Sequence, residues 1–131
     1  MSHIVEAKTS IRSPNLNLLY QAVYLVSEQH QGTIKDHYED FYGRRRDVNT
    51  AMALFTPELI RGIGVELSDN GELTFVGDPW GAHQMFERVQ GEIVQTYVSL
   101  ATMQALTELG YTPEAQEAEG GRLVISGVSY A

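Results

Sequence analysis

Three consecutive arginines form the densest cationic feature of the chain. Arg44, Arg45 and Arg46 are three of its nine basic residues. Such a run of guanidinium groups can contact an anion, a phosphate or an acidic partner. The alternative is a solvated turn whose arginines pair with the acidic side chains at positions 39, 40 and 47. The run is therefore one candidate contact site for a ligand or partner.

The single tryptophan marks a second candidate contact site. Trp80 follows Asp78 and Pro79 and precedes Gly81. Beside free amides at the start of a helix, its ring could form the wall of an anion site. The alternative is a packing anchor that holds the N-terminus of that helix.

One short segment contains side chains of the types that bind metals. His37, Glu39 and Asp40 offer donors that suit zinc or manganese. On a strand, His37 and Glu39 would share a face. The remaining histidines, at positions 3, 30 and 83, are scattered, so no second histidine lies at ligand spacing. We predict neither a metal site nor a cofactor.

The sequence contains none of the motifs that would identify a catalytic centre. Gly62 and Gly64, like Gly120 and Gly121, lack the strand–loop–helix context and the following Lys and Ser/Thr of a phosphate loop. Neither a Gly-x-Ser-x-Gly elbow nor a His-Glu-x-x-His motif occurs. The absence of cysteine excludes disulfides, thiolate zinc sites and cysteine nucleophiles. We predict no catalytic residue.

The charge of the chain argues against general nucleic-acid binding. Seventeen acidic and nine basic residues give a net charge of -8, whereas nucleic-acid binding relies on cations that neutralise phosphates. Residues 71–131 contain only Arg88 and Arg122 as cations.

No apolar run approaches the length of a membrane span, and the N-terminus is not a signal peptide. We expect a soluble cytoplasmic protein without membrane contact.

The element that organises these residues is a long helix predicted over positions 78–111. Asp78 suits the N-cap, Pro79 the first helical position and Gly110 the left-handed position after the C-terminus. Gly91 would mark a close crossing or a kink. Apolar residues recur at spacings of three and four, which predicts one buried face. That face includes Phe86, Val89, Ile93 and Tyr97, which should pack on a sheet beside Leu19, Val23 and Val26.

The other elements are shorter and mostly extended. A strand is expected at 3–12, and a helix begins at Ser13-Pro14 and ends at Gly32. The Asn70-Gly71 pair predicts a hairpin, with Gly62 and Gly64 marking a bulge or a close approach. The remaining expectations are a strand over 33–42, a turn over 43–47, a strand over 48–55 with Val48, Thr50, Met52 and Leu54 on one side, and a second hairpin turn over 119–121.

At 131 residues, the chain is expected to form one domain over positions 1–131. The element order is β-α-β-β-β-β-α-β-β. Hairpin connections predict a mostly antiparallel sheet with two helices on one face. The fold class is therefore an α+β two-layer sandwich.

Short motifs along nearly the whole chain resemble one protein family. They are the Met-Ser-His start with its alternating strand and residues 42–43, 63–65, 72–81, 97 and 109–111. Together they resemble a small conserved family of unknown function encoded in red-algal plastids and cyanobacteria, with bacterial and phage relatives. The segment 49–61 is longer than in that family, and Asp78-Pro79-Trp80 replaces a more aromatic stretch. The resemblance implies the same element order, no reaction, and a stroma-like compartment if the chain is of plastid origin.

Three functions are compatible with these observations. The first is a non-enzymatic protein-interaction or adaptor module that also forms a homodimer. The second is a small-ligand or anion-binding domain that uses the arginine run or the Trp80 corner, and the third is an enzyme of unknown reaction. The dimer is predicted because the long helix has apolar residues beyond one stripe. It would form through that helix or through an edge strand over 122–130.

Overall fold

The computed structural model describes residues 3–117 and 123–128 and confirms the predicted α+β two-layer sandwich with antiparallel sheets. Its helices are α1 (Leu16–Gln29) and α2 (His83–Glu108). Its strands are β1 (Val5–Arg12), β2 (Thr33–Lys35), β3 (His37–Glu39), β4 (Arg45–Asp47), β5 (Met52–Phe55), β6 (Ile63–Leu67), β7 (Glu72–Gly77), β8 (Thr112–Glu117) and β9 (Leu123–Val128). Six strands separate the helices where four were predicted. The segment 33–42 divides into two strands, and the predicted turn at 43–47 ends in the short strand β4.

One sheet forms the body of the protein. Its strand order is β1-β7-β6-β5-β2, and every neighbouring pair is antiparallel. The predicted hairpin at Asn70-Gly71 joins β6 to β7, and Gly71 adopts the positive φ that such a turn requires. Two further hairpins, β3–β4 and β8–β9, each form a separate two-stranded sheet.

The main core lies between the helices and the five-stranded sheet. The seven residues named above for this core are all buried there, which confirms the part of each helix face that they define. These residues are Leu19, Val23, Val26, Phe86, Val89, Ile93 and Tyr97. The sheet contributes alternate residues, among them Leu54, Val65 and Phe75. Burial of these two faces is the main source of stability for the sandwich.

A second, smaller core covers the opposite face of the same sheet. Tyr38 from β3 and Val48 after β4 pack there on Ala53 and Val76. The prediction that Val48 shares a side with Met52 and Leu54 was wrong, because the strand alternation begins only at Met52. The β3–β4 hairpin thus forms a partial third layer.

The predicted starts of both helices were wrong. Helix α2 begins at His83, and its N-cap residue Ala82 makes no side-chain capping bond. Asp78 instead directly follows strand β7 and is buried, and its carboxylate accepts a hydrogen bond from the Phe41 N–H of another loop. Helix α1 is capped by Asn15, whose side chain accepts from the Leu18 N–H, rather than by Ser13.

The C-terminus of α2 confirms the predicted glycine cap. Gly110 has φ 89°, its N–H donates to the Thr107 carbonyl, and the Tyr111 N–H donates to the Leu106 carbonyl. These two bonds define a Schellman motif. At the end of α1, by contrast, Gln31 and not Gly32 adopts the positive φ.

The last turns of α2 extend beyond the main core and pack on the β8–β9 hairpin. A helix of 26 residues is about 39 Å long, roughly twice the length of a typical strand. We call residues 98–117 and 123–128 the arm.

The predicted hairpin turn at 119–121, and the ends of the predicted strand at Arg122 and Tyr130, lie outside the described residues. In the part of the chain that the structure describes, no helix is both long and apolar enough to cross a membrane.

Candidate functional site

Asp40 builds the turn between β3 and β4. Its side chain is only 3% exposed. Oδ1 accepts from the backbone N–H groups of Tyr42 and Arg44, both at 2.9 Å, and Oδ2 accepts from Nε of Arg44 at 2.9 Å and of Arg46 at 3.2 Å. An aspartate that binds amides of its own turn fixes the shape of that turn.

This turn displays two aromatic rings beside the tryptophan. Phe41 meets Tyr42 edge to face at a centroid distance of 5.5 Å, and it meets Trp80 in the same way at 6.5 Å. Ile60 lines a cleft together with Trp80. We call Phe41, Tyr42, Ile60 and Trp80 the aromatic patch. Their exposed fractions are 44%, 75%, 67% and 49%, so four large apolar side chains face solvent in one region.

Arg61 and Asp78 hold the patch in place. The Arg61 guanidinium lies 5.0 Å from the centre of the Phe41 ring, and its Nη1 donates to the Trp80 carbonyl at 3.2 Å. Asp78 Oδ2 accepts from the Phe41 N–H at 2.9 Å. The other oxygen, Oδ1, is buried without a donor among the described residues, which is costly for a carboxylate. The turn and the Trp80 loop are thus joined by hydrogen bonds.

The cleft beside Trp80 is small. It encloses about 170 Å³ between the Leu59–Gly62 segment and the loop before α2. Sites for drug-sized ligands usually occupy about 300–1,000 Å³. The cleft is therefore better suited to a single side chain of a bound partner than to a whole cofactor.

The structure separates the arginine run. Arg44 and Arg46 both pair with Asp40, whereas Arg45 pairs with Asp36 at 3.1 Å and Asp47 at 2.8 Å. Arg45 and Arg46 point to opposite faces of β4, as successive strand residues do. Arg44 also stacks over Tyr42, with its guanidinium carbon 5.3 Å from the ring centre. Of the predicted contact residues, Arg44 and Trp80 therefore border the same surface.

The three candidate metal ligands do not converge on one point. His37 bonds through Nδ1 to Asp36 at 2.8 Å, while both oxygens of Asp40 accept from its own turn and the arginines. Across residues 3–117 and 123–128, no group of three metal-ligating side chains is found.

The acidic groups around the turn titrate abnormally. Burial alone would raise the pKa of Asp40, but donation from the backbone N–H and guanidinium of Arg44 and from the Tyr42 backbone outweighs it, so the pKa lies below its ordinary value of 3.8. The hydrogen bond from His37 likewise lowers the pKa of Asp36. Burial raises the pKa of Tyr38 beneath the turn.

We expect the Asp40 network to make stability dependent on pH in the acid range. Its pKa is lower in the folded protein than in the unfolded chain, so folding favours the ionised form. This stabilisation is complete above the unfolded pKa near 3.8 and is lost as pH falls through the lower folded pKa. Melting temperatures of the wild type and of Asp40→Asn should therefore differ most at pH 7 and converge toward pH 3.

The control for this experiment is Asp47→Asn, because Asp47 is an exposed carboxylate that also pairs with an arginine. Exposed pairs contribute little, so its melting temperature should stay close to that of the wild type at both pH values. A difference between wild type and Asp40→Asn that is the same at pH 7 and pH 3 would contradict the role given to the Asp40 charge.

Sequence reasoning missed most of the patch. Phe41, Tyr42, Ile60 and Arg61 were not selected as contact residues. The adjacent aromatic pair Phe41-Tyr42 before Gly43 is a local signal that could have been used, since aromatic side chains on a tight turn are difficult to bury. Ile60 and Arg61 carry no such signal, because only the sheet brings them to Trp80.

Comparisons with protein-family models, with curated proteins and with solved structures found no match to this chain. The resemblance to the plastid and cyanobacterial family therefore stays a prediction.

Proposed function

We propose that the protein is a non-enzymatic binding module that holds an acidic segment of another protein on the aromatic patch. The observation that carries this proposal is the clustering of the four large, solvent-facing apolar side chains of the aromatic patch. Two of its rings also contact an arginine, Arg44 over Tyr42 and Arg61 over Phe41. Scattered apolar residues on a surface need no explanation, but a contiguous group indicates an interaction site.

The composition of the patch is that of a binding hot spot. Tryptophan, tyrosine and arginine dominate the energetics of protein interfaces, particularly when they surround a pocket. Trp80 and Ile60 line such a pocket, whose volume fits one anchoring side chain. A partner residue in this cleft would contact both the indole ring and the isoleucine.

The patch is held in its conformation before any partner binds. Asp40 fixes the turn, Asp78 holds the Phe41 backbone, and Arg61 bonds to the carbonyl of Trp80. Rigid aromatic groups lose little conformational entropy when they bind. These hydrogen bonds therefore favour affinity for an extended partner segment.

The charges at the edge of the patch favour an acidic partner. The Arg44 side chain is mostly exposed and engages Asp40 through Nε, which leaves the outer edge of its guanidinium toward solvent. Arg61 lies over Phe41, the other ring of the aromatic pair. These two arginines favour acidic side chains in the part of a partner segment that lies over Tyr42 and Phe41. Glu58 and Asp78 line the cleft itself and favour an uncharged anchor there.

A displayed library of random peptides tests the proposal. Selection on the immobilised wild-type protein should enrich peptides that combine an aromatic or aliphatic anchor with neighbouring Asp or Glu. A synthetic peptide of the enriched sequence should bind in titration calorimetry. Tyr42→Ser/Trp80→Ser should weaken that binding about tenfold or more, because truncating an aromatic hot-spot residue costs about 2 kcal/mol or more.

The matched control is Tyr20→Ser/Tyr24→Ser, which removes two half-exposed rings from α1, away from the patch. This variant should bind the peptide as the wild type does. Enrichment of basic peptides, or equal binding by both double variants, would overturn the proposal. Displacement of the peptide by millimolar inorganic phosphate would favour the anion-binding alternative.

A further inference from the structure

The β8–β9 hairpin has two open edges. It pairs with no strand of the five-stranded sheet, and within the described residues each of its strands has one hydrogen-bonded neighbour. The outward amide and carbonyl groups of such a strand can pair with another chain. Isolated two-stranded hairpins are also only marginally stable.

The two edges differ in how they are protected. Strand β8 contains Pro113, Glu114 and Glu117, and proline and charge are the usual means by which natural proteins block edge pairing. Strand β9 reads Leu-Val-Ile-Ser-Gly-Val, without a charge or a proline. The edge of β9 is therefore the one open to another strand.

We infer that the edge of β9 pairs with β9 of a second copy in a symmetric dimer. An antiparallel pairing about a two-fold axis near Ser126 places only uncharged residues opposite one another, with Val124 facing Val128. The same pairing through β8 would bring glutamates together in a protein of net charge -8. Two copies would form one four-stranded sheet in the order β8-β9-β9-β8, which meets the usual minimum for an independently stable sheet.

The orientation of the hairpin permits this contact. A methyl group added to Gly127 would lie 3.0 Å from Leu106 and 3.1 Å from Tyr111, so the face of the hairpin that contains Gly127 packs on α2. Ser126 points to the opposite face and is exposed. A two-fold axis perpendicular to the four-stranded sheet keeps both α2 helices on the same side of that sheet. The opposite face, which contains Ser126, stays exposed to solvent in both copies.

Engineered cysteines test the pairing cleanly, since the chain has no cysteine of its own. Ser126 and Glu114 are opposite each other on the same outer face of the hairpin. In the dimer, Ser126→Cys brings two thiols to the two-fold axis, where opposite Cα atoms are about 4.5–5.5 Å apart. Glu114→Cys places its thiols three strand spacings apart, about 14 Å. Mild oxidation should therefore yield a covalent dimer of Ser126→Cys and leave Glu114→Cys monomeric on a non-reducing gel.

Light scattering coupled to size exclusion provides a second measurement at micromolar concentration. The wild type should elute with twice the monomer mass. Ser126→Lys should halve that mass, because two lysines would meet at the axis, whereas Glu114→Lys should remain a dimer. Both positions are exposed, so circular dichroism should show unchanged folding. A monomeric wild type, a dimeric Ser126→Lys, or preferential cross-linking of Glu114→Cys would overturn the inference.

Discussion

Ile93→Ala should lower the free energy of unfolding by about 2–5 kcal/mol. Ile93 is fully buried at the centre of the α2 face that covers the sheet. The substitution removes the apolar contacts that the Ile93 side chain makes in the core between helix and sheet. It leaves a cavity that the close-packed neighbouring side chains fill only in part. Chemical denaturation in urea measures the change, with the slope of the transition showing whether unfolding remains two-state.

The control is Val98→Ala on the same helix, where the side chain is half exposed. Its free energy of unfolding should change by less than about 0.5 kcal/mol, as is usual for surface substitutions. Equal losses for Ile93→Ala and Val98→Ala would show that the face assigned to the core is wrong.

Gly64→Ala should lower the free energy of unfolding by about 1–3 kcal/mol, the range for an overpacked core. A methyl group on Gly64 would lie 2.7 Å from Val48 Cγ1, 2.9 Å from Tyr38 Cδ1 and 2.9 Å from Val76 Cγ2. These atoms belong to the small core under the β3–β4 hairpin, which has to move to admit the methyl. Because that hairpin displays Phe41 and Tyr42, peptide binding should also weaken.

Gly91→Ala is the matched control and should have the opposite sign. Apart from its chain neighbours and the backbone of its own helix, no atom of the described residues lies within 4 Å of a methyl added at this position in α2, so the predicted close crossing at Gly91 was wrong. Alanine in place of an unconstrained helical glycine should raise the free energy of unfolding by about 0.5–1 kcal/mol. Urea denaturation measures the change in the free energy of unfolding for both variants. If Gly91→Ala lowers it as much as Gly64→Ala does, the close packing described at Gly64 is not the cause of the loss.

Several features of the fold could be predicted because their causes are local. The apolar spacing along α2 identified the buried face that contains Ile93. The Asn70-Gly71 turn and the Gly110 cap each depend on a glycine with positive φ, which the sequence displays directly. Antiparallel hairpins and two amphipathic helices then lead to an α+β sandwich.

Other features depend on contacts between distant parts of the chain. Asp78 has every local property of an N-cap, yet its carboxylate accepts from Phe41, 37 residues away, and the helix begins later. Strands β3 and β4 have three residues each and are held by mutual pairing, which no periodicity over so short a length could reveal.

The candidate site likewise combines features that the local sequence determines with features that depend on contacts between distant parts of the chain. The sequence alone selected Arg44–Arg46 and Trp80, because rare or clustered residue types are visible without a structure, and of these only Arg44 and Trp80 border the patch. Only the tertiary structure placed Phe41 and Arg61 beside Trp80, since the five-stranded sheet brings together loops that are 19 or more residues apart. Chemical type and local conformation are encoded residue by residue, whereas a surface is formed by side chains whose proximity depends on the packing of the whole chain.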